Sequence, residues 1–189
     1  ERSCYDDVVA IAARAAAAQT VGPPAEEGEH LGPLVSALQW ERVQAMISAG
    51  IDEGARLVAG GLGRPDGVDK GYYAKPTVFA DVDNTTMRVA REEIFGPVLV
   101  IIPFEDEAEA IAIANDSPYG LAAYVQTGDP QRAERVAARL RAGAVHINGA
   151  ALEYGSPFGG YKLSGNGREG GIMGLEDYQE IKVLHGAVR

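Results

Sequence analysis

Val98-Leu99-Val100-Ile101-Ile102-Pro103-Phe104 is an unbroken apolar run, the pattern of a strand covered on both faces. After it, Glu107 to Ala114 reads as a helix, and Ser117-Pro118-Tyr119-Gly120 turns the chain. Leu121 to Thr127 is a second strand. Asp129 then caps a helix with Pro130 at its first position, and Gly143 lies just beyond the helix end. Ala144-Val145-His146-Ile147 is a third strand. Strand–helix–strand–helix–strand predicts right-handed crossovers and a mainly parallel sheet. The fold class is therefore α/β, a three-layer arrangement with helices flanking the sheet.

Before this core, Ser3 followed by Asp6 predicts a helix cap. Tyr5, Val8, Val9, Ala12, Ala15 and Ala16 fall on one face of that helix, and Val21-Gly22-Pro23-Pro24 stops it. Ser36 and Gln39 repeat the cap signature ahead of an apolar stripe of Trp40, Val43, Met46 and Ile47. Ala55 to Ala59 is a short strand, and 60–71 is a Gly-rich surface loop. Tyr72 to Val82 reads as extended, with Pro76 placing part of it at a sheet edge. After the core, 148–168 is long and loop-like, which points to function. Leu175 to Tyr178 is a helix end, and Gln179 to His185 alternates as a terminal strand.

The chain has 189 residues, 46% hydrophobic and 23% charged, ordinary for one sizeable globular domain. Its formal net charge of -10 argues against nucleic acid or an anionic membrane as partner, since both select basic patches. There is no long apolar span. The single cysteine, Cys4, excludes an internal disulfide framework, so a reduced, cytoplasmic setting is expected. The histidines are His30, His146 and His185, and no spacing among them and Cys4 suggests a metal site. The opening Glu1-Arg2-Ser3 carries no initiator Met, consistent with a start inside a longer protein.

Gly165-Asn166-Gly167-Arg168-Glu169-Gly170 matches G-x-G-x-x-G. That motif binds dinucleotides only after a strand and ahead of a helix within a βαβ unit. A Gly/Pro/Lys loop precedes it here, so a packed Gly-rich loop is the better reading. In Glu92-Glu93-Ile94-Phe95-Gly96-Pro97-Val98, residues 93 and 95 would point the same way on an extended segment. A carboxylate can accept both hydroxyls of a ribose, and the neighbouring ring can wall a flat nicotinamide. Taken alone, these residues favour a surface carboxylate beside a core ring. Lys162 and Arg168 could form an anion site beside glycines or brace the loop structurally. Asn84-Thr85-Thr86 is a glycosylation triplet with nothing to imply secretion.

Glu92 to Val98 and Ser156-Pro157-Phe158-Gly159-Gly160-Tyr161-Lys162-Leu163-Ser164-Gly165-Asn166-Gly167-Arg168-Glu169, in this order and separation, resemble the C-terminal half of the NAD(P)-dependent aldehyde dehydrogenases. The resemblance extends from Tyr5-Asp6-Asp7 to Glu176-Asp177-Tyr178. It implies a nicotinamide clamp made by Glu93 and Phe95, with NAD or NADP as cofactor. It places Phe158 at the inner end of a substrate tunnel and Ala151 and Leu152 toward its outer part. Gln39 aligns more loosely with a polar position near the cofactor ribose, and capping explains it equally well.

The resemblance further implies an enzyme that oxidises an aldehyde to a carboxylic acid by thiolate attack, hydride transfer and water-driven release. In that family the dinucleotide-binding domain, nucleophilic Cys, general-base Glu and oxyanion-stabilising Asn lie upstream. The expectation is thus that residues 1–178 form part of a catalytic domain without its dinucleotide-binding domain or a catalytic residue. Residues 179–189 form a strand that adds to a neighbouring subunit in a homo-oligomer, dimer or tetramer. Cys4 falls at a helix start, where the family has an ordinary residue, and is not expected to be the nucleophile. A CoA-acylating semialdehyde dehydrogenase and a non-catalytic assembly module are the alternatives.

Overall fold

The computed structural model describes residues 1–186, and the chain divides into two compact units, Glu1–Ala110 and Ile111–Arg189. The first unit opens with a 3-10 turn, Arg2–Cys4, that runs into helix α1, Tyr5–Ala18. Cys4, not Ser3, is the N-cap, and no side chain caps the helix. Ser3 is already wound into the preceding turn, closed by the Cys4 N–H donating to the Glu1 carbonyl at 3.2 Å, so its hydroxyl is not at the capping position. Asp6 and Asp7 in the first turn suit the positive end of the helix dipole.

Helix α2, Ala37–Asp52, starts as its sequence indicates: Ser36 is extended and its Oγ accepts from the Gln39 N–H at 3.2 Å. Its apolar stripe buries Val43, Met46 and Ile47 against Phe79, Val82 and Val89. Strands β1 (Arg56–Ala59), β2 (Thr77–Ala80) and β3 (Val98–Val100) form one sheet in the order β1-β2-β3. The β1–β2 pairing is antiparallel and the β2–β3 pairing parallel.

Two expectations are corrected here. The segment with Pro76 feeds the central strand, not an edge, and every residue of β2 is buried. Pro76 lies just before the ladder, so its missing N–H removes no sheet hydrogen bond. The apolar run from Val98 is not one long buried strand either. Its ladder is three residues long and Leu99 is 51% exposed. Ile101 donates to the Phe79 carbonyl at 2.8 Å and accepts from the Val82 N–H at 3.5 Å, and Pro103 has no N–H to extend the pairing.

Between β2 and β3 sits the single-turn helix α3, Arg88–Arg91. Helix α4, Glu107–Asn115, spans the division between the units. Asp106 accepts from the Glu109 N–H at 2.9 Å, and Glu109 accepts from the Glu105 N–H at 2.6 Å, a reciprocal cap.

In the second unit, β4 (Ala122–Val125) and β5 (Ala144–Ile147) pair in parallel, Ala122 with Ala144 through Val125 with Ile147. Helix α5, Pro130–Ala137, connects them. Asp129 accepts from the N–H groups of Gln131 and Arg132 at 2.9 and 3.2 Å, with Pro130 in the first turn. Gly143 does not end α5, which closes at Ala138. It lies instead where two backbones meet: an added Cβ would sit 1.7 Å from the Gly159 carbonyl oxygen.

Helix α6, Gly171–Glu176, has six residues. The G-x-G-x-x-G string follows the 3-10 turn Lys162–Ser164 and precedes this short helix, so it lacks the strand–helix setting of a dinucleotide fingerprint. Residues 179–186 join no ladder among the described residues, and Ile181 and Leu184 are 90% and 85% exposed. A strand needs a partner for its backbone groups, and the described residues supply none here. Residues 187–189 of the expected terminal strand lie outside the described residues. The architecture is α/β, and no described helix is long and apolar enough to cross a membrane.

Candidate functional site

The first candidate element is the turn after α3. Glu92 and Glu93 are adjacent carboxylates with different surroundings. Glu92 accepts from Arg88 Nε at 2.7 Å and from a second guanidinium nitrogen at 3.3 Å, and this hydrogen bonding holds its carboxyl below the ordinary range. Glu93 is exposed and makes no hydrogen bond or ion pair among the described residues. Two residues on, Phe95 is 72% exposed, so it is not the core ring that composition alone favours.

The backbone of the turn is held from two sides. Gln39 Nε2, on the first turn of α2, donates to the carbonyls of Ile94 and Phe95, each at 3.1 Å. Gly96 lies against α2 so closely that a Cβ would stand 2.6 Å from Val43 Cγ2. The Pro97 carbonyl accepts from the Thr77 N–H of β2 at 2.9 Å. Phe95 has φ 53°, a left-handed conformation uncommon for a bulky residue. The same-side rule for extended chain therefore does not apply at this position; the pair sits on a tight pinned turn. Strained backbone of this kind persists where the surroundings over-determine it.

The second candidate element is the glycine-rich loop of the other unit. Phe158 and Glu169 form an antiparallel bridge, each N–H donating to the other's carbonyl at 2.7 Å. Glycines allow this closure: a Cβ on Gly159 would meet the Gly167 carbonyl oxygen at 2.1 Å. Arg168 donates to the carbonyls of Gly160 and Gly167 at 2.9 and 2.8 Å and lies over the Tyr161 ring at 5.6 Å. Lys162 Nζ donates to the carbonyls of Asn115 and Ser117, both at 2.8 Å. Both cations are thus engaged with backbone oxygen, which favours the structural reading over an anion site. Phe158 remains 43% exposed, and Ala151 and Leu152 are exposed on the preceding loop.

The structure thus places Glu93 and Phe95 on one turn of the first unit. Ala151, Leu152 and Phe158 lie on one loop of the second. Gln39 is the residue whose contribution sequence reasoning left open: its N–H is capped by Ser36, and its side chain ties the turn. Its position three residues after Ser36 signalled only the first contact. Cys4 is exposed, and its Sγ contacts the Glu1 carbonyl of its own turn at 3.5 Å.

Comparison with known proteins sets these features in a family. The model of the aldehyde dehydrogenase family matches residues 1–184. A 3-succinoylsemialdehyde-pyridine dehydrogenase from a Pseudomonas species is 55% identical over 184 residues, covering 97% of this chain and 38% of the relative. Among solved structures, a mutant aldehyde dehydrogenase C from Pseudomonas syringae, complexed with NAD+ and octanal, superposes with a TM-score of 0.92 at 53% identity. It covers 95% of this chain and 37% of the other. An aldehyde dehydrogenase from Mycobacterium tuberculosis complexed with NAD+ gives a TM-score of 0.90 at 53% identity, over 94% and 36% of the two chains. The chain therefore spans little more than a third of the relatives it matches. With a family model across nearly its full length and these folds superposing on it, this chain belongs to the aldehyde dehydrogenase family.

Proposed function

We propose that this chain supplies the nicotinamide clamp and part of the aldehyde tunnel of an NAD(P)-dependent aldehyde dehydrogenase that oxidises an aldehyde to a carboxylic acid. The observation that carries this reading is the contrast between Glu92 and Glu93. One carboxylate is held by Arg88; its neighbour is exposed, without a partner among the described residues, on a turn pinned by Gln39. A charged acceptor on a rigid backbone suits a diol such as a ribose. The exposed Phe95 ring offers an apolar face for a flat heterocycle. These residues fit the nicotinamide half of the cofactor, which supplies the hydride acceptor when bound. Fixing the sugar fixes the acceptor carbon, and such positioning contributes several kcal/mol to a rate.

The rest of the assignment follows the family. The relatives with bound ligands carry NAD+, one of them together with octanal. Phe158 forms the inner wall of the tunnel and Ala151 and Leu152 its mouth. Cys4, at a helix start, is not the nucleophile; the thiol and the general base come from residues outside this chain. Residues 179–185 pair with a neighbouring subunit in a homo-oligomer, which would cover the exposed Ile181 and Leu184.

Glu93→Gln in the full-length polypeptide carrying this chain tests the clamp. Single-turnover hydride transfer should slow more than aldehyde binding weakens, and unchanged single-turnover kinetics would overturn the role. The isolated chain, incubated with NAD and short aldehydes, should produce no NADH; turnover abolished by Cys4→Ala would contradict this reading.

A further inference from the structure

We infer that His146 is a positioning residue for aldehyde selectivity, acting through the carbonyl of Ala150. The inference rests on the proposal that Ala151 and Leu152 face the aldehyde. His146 lies on β5 in register with Tyr124 of β4. The two rings stack with centroids 4.9 Å apart and planes 17° from parallel, which limits rotation of the imidazole. Nδ1 lies 2.8 Å from the Ala150 carbonyl oxygen. A carbonyl cannot donate, so Nδ1 carries the proton in this contact.

The chain leaving β5 is tied just as closely. Asn148 adopts φ 51° and Gly149 φ 78°, reversing the backbone within two residues. The Asn148 carboxamide closes on Thr127 in both directions, accepting from its N–H and donating to its carbonyl at 2.9 Å. The Ala150 N–H donates to the Ile147 carbonyl at 3.0 Å. Both polar groups of the Ala150 backbone are therefore held, one by β5 itself and the other by His146. The next backbone tie is the Ser156 N–H to the Glu153 carbonyl at 3.1 Å. The direction in which Ala151 and Leu152 leave the sheet is thus set at Ala150. The His146 donor is the one link in that anchor made by a side chain of β5.

Variants of the full-length polypeptide separate the donor from the stack. His146→Phe keeps a ring against Tyr124 and removes the donor; His146→Gln restores a donor without the ring. The readouts are kcat and KM for acetaldehyde and octanal, hydrogen exchange at residues 150–152, and imidazole nitrogen shifts. The Nδ1–H tautomer should dominate the neutral ring. His146→Phe should speed exchange and change the octanal-to-acetaldehyde ratio of kcat/KM by about threefold to tenfold. The change should lie in KM, with kcat for acetaldehyde preserved and His146→Gln recovering most of the selectivity.

An Nε2–H tautomer, or unchanged exchange in His146→Phe, would overturn the positioning role. Leu152→Trp distinguishes that failure from failure of the underlying reading. If Leu152→Trp alters selectivity and His146→Phe does not, the inference about His146 is wrong. If neither does, the assignment of this loop to the aldehyde tunnel falls, and the inference with it.

Discussion

The side-chain amide of Gln39 donates to the Phe95 carbonyl at 3.1 Å, tying the first turn of α2 to the exposed turn that carries Glu93. The same nitrogen reaches the Ile94 carbonyl, so one side chain fixes two successive peptides. Gln39→Leu leaves both carbonyls to water. A net loss of about 1 kcal/mol in stability is expected. On the proposed clamp, NAD affinity of the full-length polypeptide should fall about threefold to tenfold, read by fluorescence titration. Unchanged affinity would mean that the turn holds its shape through Gly96 and Pro97 alone.

Gly143 and Gly128 form a matched pair for testing the glycine-dependent closure of the second unit. A Cβ at 143 would lie 1.7 Å from the Gly159 carbonyl oxygen, whereas one at 128 meets nothing within 4 Å. Gly143→Ala should destabilise by about 3 kcal/mol or more, since backbone must move to admit it. Gly128→Ala should be close to neutral. Urea denaturation of the two variants side by side would settle this, and equal midpoints would refute the closure argument.

Much of this architecture can be read from local sequence, because the relevant contacts are local. Asp129 followed by Pro130, Ser36 three residues before Gln39, and the run Ala144–Ile147 all act within one turn or one strand. The failures have a common physical source. Pro76 read as an edge because its position relative to the ladder depends on pairing with β1 and β3. Gly143 read as a helix stop because its close approach to Gly159 is made 16 residues along the chain (159 minus 143). The left-handed backbone at Asp81, Phe95, Asn148 and Lys162 had no residue-type signal beyond a weak one for Asn and Asp. At the proposed clamp, residue types alone favoured a surface carboxylate beside a core ring, the family resemblance named Glu93 and Phe95, and the support from Gln39 required the tertiary fold.

Asp81 links acid stability to a small network. Its carboxyl is held below the ordinary range chiefly by the hydrogen bond from Arg56, with the Tyr5 hydroxyl adding to this and burial opposing it. Arg56 Nε lies 2.5 Å from it and the Tyr5 hydroxyl 3.0 Å. Because the folded value is the lower one, the unfolded chain takes up its proton first as pH falls. The contribution is intact above the unfolded carboxylate value of about 3.9 and is lost as pH falls through the folded value. Arg56→Gln should therefore flatten the loss of thermal stability between about pH 5 and pH 2. Superimposable pH profiles for the two proteins would exclude the link.

Lys162 combines a left-handed backbone, φ 57°, with an ammonium donating to the carbonyls of Asn115, the last residue of α4, and of Ser117 just beyond it. Lys162→Met keeps the backbone penalty and removes the bonds; Lys162→Gly removes both. Met should therefore be the more damaging substitution, by about 1 kcal/mol, in thermal melts. The reverse order would show that the side chain's aliphatic stem, not its charge, holds the loop.

Tolerance to substitution should be uneven across the second unit. At Gly143, Gly159 and Gly171 any side chain would collide with a carbonyl oxygen, so substitutions there should cost foldability. Ala151, Leu152, Glu153 and Tyr154 stand exposed beside them, free to vary without disturbing the scaffold. A library restricted to that four-residue window should therefore sample many side chains with few unfolded members.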